Sequence, residues 1–539
     1  MWSKLLTLLL ILGLAITPAS AELNYRLYEF TKLTGGLNDS FNAVTLDASE
    51  ASTLQNIIFP RQINGAFGKR PGFTRLNSTA LTGTPDCTGV FFFKLTDGTR
   101  YLVSVWSDDT IRKMDYLAGT GPDGTWDTIT GSLSFAIGTD DHASFAVAEN
   151  QLVIEDGLGT TAPYLWTGTG NATTLTADVD LPNSKYATYH RRHLFLAGNS
   201  TQLSRLYFSA LGDITDYTTT DFINVEDNAG DGVIRGMATG LDGLYIWKDS
   251  AIWRLTGTSR DDFQLERMVQ GIGTLHHQSI AIINSPKDNQ QYFFFVTQNG
   301  DVAVYDGGIT VEIISRKISQ SVPKSIQYSR LDEMVGTAYE FTYMLSLSNT
   351  GSTAEHDRIY QYDLLHSAWT RFVGMEANAV GAYENDGGKS VFMFGDYDGR
   401  VNSWDMDDTS TTNDPGTTAI DAFWESGWMS FAEDGVLKDV RKVRIFANQQ
   451  GTGQTLSVTV RKDFEPTGTL QTVSLAGSGS LWDTAVWDTD RYADLSVVIG
   501  EVEPNTGENV FLLRVENSSA SQTFRIRKIQ FITEPKERV

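Results

Sequence analysis

Four short patterns in this chain have the residue types that chemistry needs. Gly119-Thr-Gly121-Pro-Asp-Gly124 has the glycine spacing of a dinucleotide-binding turn, but that turn must feed a helix N-terminus, and Pro122 followed by Trp126-Asp127 denies one. His276 and His277 are possible zinc ligands; being adjacent, they would point to opposite faces of a strand, and no HExxH or second ligand cluster accompanies them. Asp396-Tyr-Asp398-Gly399 and Asp488-Thr-Asp490 could offer oxygens to calcium, yet both lack the closing Glu of an EF-hand loop and read as solvated turns. No G-x-S-x-G elbow is present, and Trp126-Asp127 and Trp404-Asp405 come without the Gly-His partner of a WD40 repeat. With 66 Asp and Glu, singling out a catalytic pair would be arbitrary. The sequence therefore predicts no enzyme: no catalytic, cofactor-binding or metal-ligating residue, and no cofactor.

The elements around these patterns read as strands. The 539 residues include 49 Gly, 13 Pro and 60 aromatics, with 20% charged residues, a profile of turns and half-buried strands. A recurring unit begins near residue 88: an apolar or aromatic strand, a tight polar turn, then a second strand. Its clearest copies start at Tyr101, Gly243, Tyr292 and Val391, turning at Ser107-Asp108-Asp109, Lys248-Asp249-Ser250, Gln298-Asn299-Gly300 and Asp396 to Gly399; weaker copies start near Gln151, His193 and Phe341. Starts about 42 to 50 residues apart match a four-stranded propeller blade. The predicted fold is all-β, a β-propeller of about six or seven blades over 88–406 followed by a C-terminal β-sandwich over 419–539. Residues 407–418 contain no apolar side chain and read as the linker between the two. Residues 24–87 form an N-terminal opening segment with a short helix expected around Ser49 to Ile57.

Residues 1–23 form an apolar leader. Lys4, the run Leu5 to Ile16 and Ala19-Ser20-Ala21 have the layout of a secretory signal peptide, and the run is shorter than a membrane span. The alternative is an arm that is retained and buried at a subunit contact. The single Cys87 cannot form an intramolecular disulfide and reads as a buried apolar residue. The net charge of -24 argues against a broad basic face for nucleic acid.

The order of motifs resembles a known family. Phe30-Thr-Lys-Leu-Thr-Gly35-Gly36-Leu37-Asn38, then Leu54-Gln-Asn56, then Gly68-Lys69-Arg70-Pro71-Gly72 look like the opening of the tail nozzle (tail hub) proteins of short-tailed bacteriophages, which include packaged-DNA stabilisation proteins. Arg191-Arg192-His-Leu-Phe-Leu-Ala197, Arg205 to Ser209, Gly212 to Tyr217, Ile234-Arg-Gly236, Leu244 to Gly257, Gly271-Ile-Gly273 and Phe294 to Gly308 are similar to the middle of that family. The resemblance implies a structural virion protein: a homo-oligomeric ring, a hexamer, below the portal and head-to-tail adaptor proteins. It further implies contact with tail fibre, spike or needle proteins and a channel that genome DNA traverses without sequence specificity. It identifies no DNA-contact residue. The rival expectation is an exported bacterial propeller, periplasmic or secreted once the leader is cleaved, that binds a protein or carbohydrate at the cell surface.

Overall fold

The computed structural model describes residues 25–536, apart from 62–63, 139–140, 176–179, 227–229, 350, 352–354, 432–434, 451–452 and 477–496. The leader and Asp488-Thr-Asp490 lie outside the described residues. Within them the chain is all-β, with helical structure confined to four short 3₁₀ turns.

Between Thr74 and Trp404 the strands gather into successive sheets of four or five strands, each a meander of neighbours in sequence except that the last takes one strand from Thr74–Arg75. The expected hairpins are there. Arg100–Trp106 turns through Asp109 (φ 62°) into Thr110–Leu117, Gln291–Val296 turns at Gly300 (φ 81°) into Val302–Tyr305, and Ser390–Gly395 turns at Gly399 (φ 72°) into Val401–Trp404. Positive φ at such turns suits the right-handed twist of the strands they join. The weaker copies at Gln151, His193 and Phe341 are the second strands Gln151–Glu155, His193–Ala197 and Thr342–Leu347.

First strands pack in succession around a circuit. Cys87–Lys94 touches Ser144–Ala148, which touches Tyr186–His190, then Ile234–Thr239; the 3₁₀ turn His277–Ser279 bridges from there to the next sheets, Ala281–Asn284 touches Val335–Tyr339, which touches Ala379–Glu384, and the last returns to Cys87–Lys94. A closed circuit of meanders is the arrangement of a β-propeller. Large side chains fill the wedges between neighbouring sheets, as where Tyr245, Trp247, Phe293, Phe295 and Tyr305 form one buried cluster. Aromatic rings suit this position because each buries a large area at low rotameric cost.

The other strands come from both ends of the chain. One sheet runs Val497–Val502, Lys438–Asn448, Arg525–Pro535, Phe67–Lys69 and Ile57–Ile58, with Arg26–Phe30 added to Arg525–Pro535; the other runs Gly36–Leu37, Glu50–Gln55, Ala422–Ser426, Phe511–Asn517, Thr455–Lys462 and Thr469–Ser474. Their inward residues, among them Val443, Ile445, Phe531, Leu456, Val458, Val515 and Trp424, share one core, which continues into the propeller through Phe294, Tyr343 and Trp369.

Two boundaries and one element therefore differ from the sequence expectation. The segment 24–87 is not a separate opening unit, because its strands complete the sheets of the C-terminal part. Thr74–Arg75 pairs with Val401–Trp404 and supplies the outer strand of the last propeller sheet. The stretch Glu50–Gln55 is a strand, not a helix: Leu54 pairs with Trp424, and both Ala51 and Leu54 are fully buried, so tertiary pairing overrides a helix-friendly composition. Residues 407–418 do connect the two parts, yet Asp414 within them is buried against Arg70. Gly36 shows why this junction needs glycine: its φ is +79°, and a Cβ there would stand 2.7 Å from the backbone of Trp369.

Candidate functional site: the axial mouth

Each propeller sheet begins with its innermost strand, so the residues just before or at the start of those strands meet at one end of the axis. Five sheets contribute there to a cleft of about 220 Å³ lined by residues that include His142, Lys185, Arg235, His276, His277 and Glu333. His142 precedes Ser144–Ala148, Lys185 precedes Tyr186–His190, Arg235 lies in Ile234–Thr239, the two adjacent histidines precede Ala281–Asn284, and Glu333 ends the 3₁₀ turn before Val335–Tyr339.

The imidazoles there have defined tautomers. His142 Nε2 lies 3.0 Å from the Asn378 carbonyl and His356 Nδ1 lies 3.0 Å from the Ala377 carbonyl. A carbonyl oxygen only accepts, so those nitrogens carry the protons and His142 Nδ1 and His356 Nε2 are bare lone pairs. Both bare nitrogens are buried without a partner, as is His276 Nε2. The His142 and His276 rings stand 5.3 Å apart at 69°. His277 Nδ1 accepts the Met237 amide at 3.4 Å, and its ring lies 5.0 Å from Tyr186.

Burial holds this cluster neutral. It lowers His142, lowers His356 to about 3 and lowers His277 to about 4; His276 is driven well below the usual range by burial first and then by His142, His277, His356 and Lys185. Imidazoles that resist protonation this strongly are weak bases at neutral pH. Among the described residues no nucleophile is hydrogen-bonded to these ring nitrogens: the nearby Ser279 hydroxyl donates to the His276 carbonyl. The charged groups at the cleft are Lys185, Arg235, which stands 2.5 Å from Asp249, and the carboxylates of Asp141, Asp332 and Glu333.

The patterns singled out in the sequence fall elsewhere, except for His276 and His277. Gly119 to Pro122 lines a larger cleft, about 470 Å³, at the seam between the first and last propeller sheets. There the Gly119 amide donates to Asp386 Oδ2 at 2.7 Å, so the glycine loop holds a carboxylate of its own chain, and a strand pair at Asp127–Thr128 follows instead of a helix. Asp396 is consumed by its own turn: Oδ1 accepts the amides of Asp398 and Arg400, both at 2.9 Å, and Oδ2 accepts Asn402 Nδ2 at 3.1 Å. Among the described residues no group of three or more His, Cys, Asp or Glu is arranged to hold a metal. Trp126 packs edge-on against Trp106 and Trp404 Nε1 donates to the Pro71 carbonyl, so both Trp-Asp pairs are structural. Cys87 is fully buried, and its thiol is pushed up by desolvation. Arg191 and Arg192 form a left-handed turn between Tyr186–His190 and His193–Ala197, with φ of 46° and 68°.

Sequence reasoning missed His142, Lys185, Arg235 and His356. They lie far apart along the chain, and the inner strands that three of them precede or begin were not among the repeat units read from the sequence.

No protein-family model matches the chain, and no curated protein is similar to it. Among solved structures, the WD40 domain of Neurospora crassa Pan2 is 9% identical with a TM-score of 0.37, covering 64% of this chain and 98% of that one. YCF48 bound to D1 peptide is 12% identical with a TM-score of 0.36, covering 61% of this chain and 96% of that one. Likeness at this level carries no functional argument. No helix among the described residues is long and apolar enough to cross a membrane.

Proposed function

We propose that this chain is a non-catalytic binding protein, a seven-bladed β-propeller on a β-sandwich, whose axial mouth engages a protein segment. In this reading each successive sheet between Thr74 and Trp404 is a blade, Thr74–Arg75 closes the seventh, and the sheets built from both chain ends form the sandwich. The observation that carries the reading is the convergence of side chains from five sheets on one cleft, with unpartnered imidazole nitrogens beneath and Lys185 and Arg235 at its wall. A site drawn from several rigid sheets is preorganised, which lowers the entropic cost of binding. Export with cleavage before Glu22 would place it in the periplasm or outside the cell. The test is a peptide array probed with the full chain and with Lys185→Glu. Peptides that bind the former and lose at least tenfold affinity for the latter support the reading, while binding that axial substitutions leave unchanged overturns it.

A second reading is favoured by the order of motifs from Phe30 through Gly308, which resembles the tail nozzle family. There the chain is a subunit of a hexameric ring below portal and adaptor, contacting fibre, spike or needle proteins and passing DNA without sequence preference. Native mass spectrometry of the purified chain and of virions separates the two. A six-fold ring that begins at Met1 in the virion supports the nozzle; a monomer beginning at Glu22 supports the exported binder.

A further inference from the structure

Outside the axial mouth, the motif Gly68-Lys69-Arg70-Pro71-Gly72 ends at a cleft of about 260 Å³ where the connecting segment crosses the end-built sheets. Two cations line it without a carboxylate in ion-pair range. Lys69 is only 2% exposed, and its Nζ donates to neutral acceptors, Asn517 Oδ1 at 2.9 Å and the Ser519 carbonyl at 3.2 Å. Arg525 is half-buried and makes no hydrogen bond or ion pair among the described residues; the carboxylate whose charge reaches it, Asp407, is itself paired with Lys389 at 3.1 Å. The adjacent Arg70 cannot share its counter-ion, because both oxygens of Asp414 are already engaged by its guanidinium, at 2.8 and 2.7 Å. The one acid on the lining, Asp408, turns into its own loop and accepts the Ser410 amide and hydroxyl at 2.7 and 2.6 Å. The other groups around the cleft include the hydroxyls of Thr409, Thr411 and Thr523.

Desolvated cations are costly unless matched by an anion. In a chain with 66 acidic residues against 42 basic ones, two such cations meeting at one cleft, with Asp408 held by its own turn and Asp407 by Lys389, make a site that is complete only with an anion from outside. We propose that this cleft binds a phosphate dianion, free or as the monoester of a small polar carrier. The planar fork of Arg525 matches two phosphate oxygens, Lys69 acts as a point charge on a third, and threonine hydroxyls complete the shell. The volume exceeds that of bare phosphate, which leaves room for a sugar-sized carrier. A duplex backbone fits poorly, because its phosphates are monoanionic diesters on a convex surface. Bound there, phosphate would tie the connecting segment to Phe67–Lys69 and Arg525–Pro535.

Lys69 also gives the site a pH signature. Burial, and then Arg70, lower its ammonium to about 8, with Asp421 and Asp414 acting in the opposite sense; Arg525 and Asp408 are the other charged groups on the cleft. Phosphate is largely dianionic from pH 7 upward, so affinity should fall as pH rises from 7 to 9 and Lys69 loses its proton.

The test is calorimetric titration and thermal melting of the full chain with inorganic phosphate and with ribose 5-phosphate, at ionic strength fixed with potassium chloride. Saturable binding is expected, with a raised melting temperature that chloride alone does not reproduce and affinity lower at pH 9 than at pH 7. Tighter binding of ribose 5-phosphate than of inorganic phosphate assigns the monoester; equal or weaker binding assigns the free ion. Arg525→Gln should weaken binding at least tenfold. Thr409→Asp, at an exposed position that leaves the core untouched, should do the same by placing a carboxylate at the rim. The proposal is overturned if chloride gives the same stabilisation, if both variants bind like the parent chain, or if a DNA oligonucleotide binds there more tightly than phosphate.

Discussion

Replacing Asp414 by Asn tests whether the buried clasp at Arg70 holds the two parts of the molecule together. The Arg70 side chain is fully shielded from solvent, and Asp414 is 9% exposed. The guanidinium donates from Nε to Asn56 Oδ1 at 2.9 Å, from Nη1 to the Pro71 carbonyl and from Nη2 to the Val373 carbonyl, both at 3.0 Å, besides its paired bonds to Asp414. One cation thus joins the opening strands, the last turn before Thr74, the loop after Ala368–Phe372 and the connecting segment. Asp414→Asn keeps one acceptor but strands the charge. Removing one partner of a buried pair costs about 3–5 kcal/mol, and replacing both with apolar groups is often near neutral. The expected loss is about 3 kcal/mol for Asp414→Asn, with Arg70→Met/Asp414→Leu less destabilised than the sum of its single changes. Urea unfolding followed by tryptophan fluorescence suits the measurement, because Trp404 Nε1 donates to the same Pro71 whose carbonyl Arg70 holds. A loss below about 1 kcal/mol, the range of surface pairs, or strictly additive double-mutant energies would refute the reasoning.

Glu155 is fully buried, bonded to Ser184 Oγ at 2.9 Å, and its pKa is raised well above the usual value by desolvation. A raised carboxyl costs nothing in acid and progressively more above the unfolded pKa, so Glu155→Gln should stabilise the chain by about 1–3 kcal/mol at pH 7 and by nothing at pH 3.5; equal effects at both pH values would count against the assignment. The lowered histidines act in the opposite sense. Stability should be full above the unfolded value near 6.5 and decline as pH falls toward 3, because the unfolded state takes up protons that His142, His276 and His356 refuse; His356→Gln should flatten that slope in urea midpoints measured from pH 7 to 4, and an unchanged slope would contradict it. EDTA should leave the melting temperature unchanged, since Asp396 is saturated by its own turn; a drop restored by calcium would return Asp396 and Asp398 to the list of ligands.

The parts legible in the sequence were those whose cause is local. Asn299-Gly300 and Asp398-Gly399 set turn geometry within four residues, and the apolar strands on either side could pair only with each other, so the hairpins could be placed. Pairing between chain ends has no such signal: Arg26–Phe30 joins Arg525–Pro535 with Leu27 opposite Ile532, and nothing in either segment names the other. The error at Glu50–Gln55 has the same origin, since Glu, Ala, Leu and Gln favour helix locally and only the partner strand Ala422–Ser426 decides otherwise. The axial site was half visible. His276 and His277 were noticed because they are adjacent, but what gives them meaning is His142 and His356, anchored on the consecutive carbonyls of Asn378 and Ala377. The motif at Lys69-Arg70 stood out through its place in the order of motifs, and its contacts with Asp414 and Asn517 had no local signal.

The placement of cations explains what the acidic balance means physically. Many basic side chains are matched at short range: Arg254 by Asp242 and Glu266, Arg267 by Asp231, Lys442 by Glu501 and Glu503, and Arg444 by Glu501. A matched pair has little field beyond a Debye length of about 8 Å at physiological salt, so the surplus carboxylates dominate what an approaching molecule meets. Arg70, the most conspicuous cation of the opening motif, is sealed inside and contributes nothing to that surface. Among the described residues, cations without an ion-pair partner stand in concave places that include Lys185 in the axial mouth and Lys69 with Arg525 in the junction cleft. Isolated concave cations suit a carboxylate side chain or a small phosphate, whereas a polyanion needs a continuous basic stripe to release counterions along its length. In a single copy of this chain, this charge placement is what the proposed binding reading requires. Any passage of DNA through a ring of such chains would depend on the surfaces that assembly turns inward, with the exterior repelling the duplex.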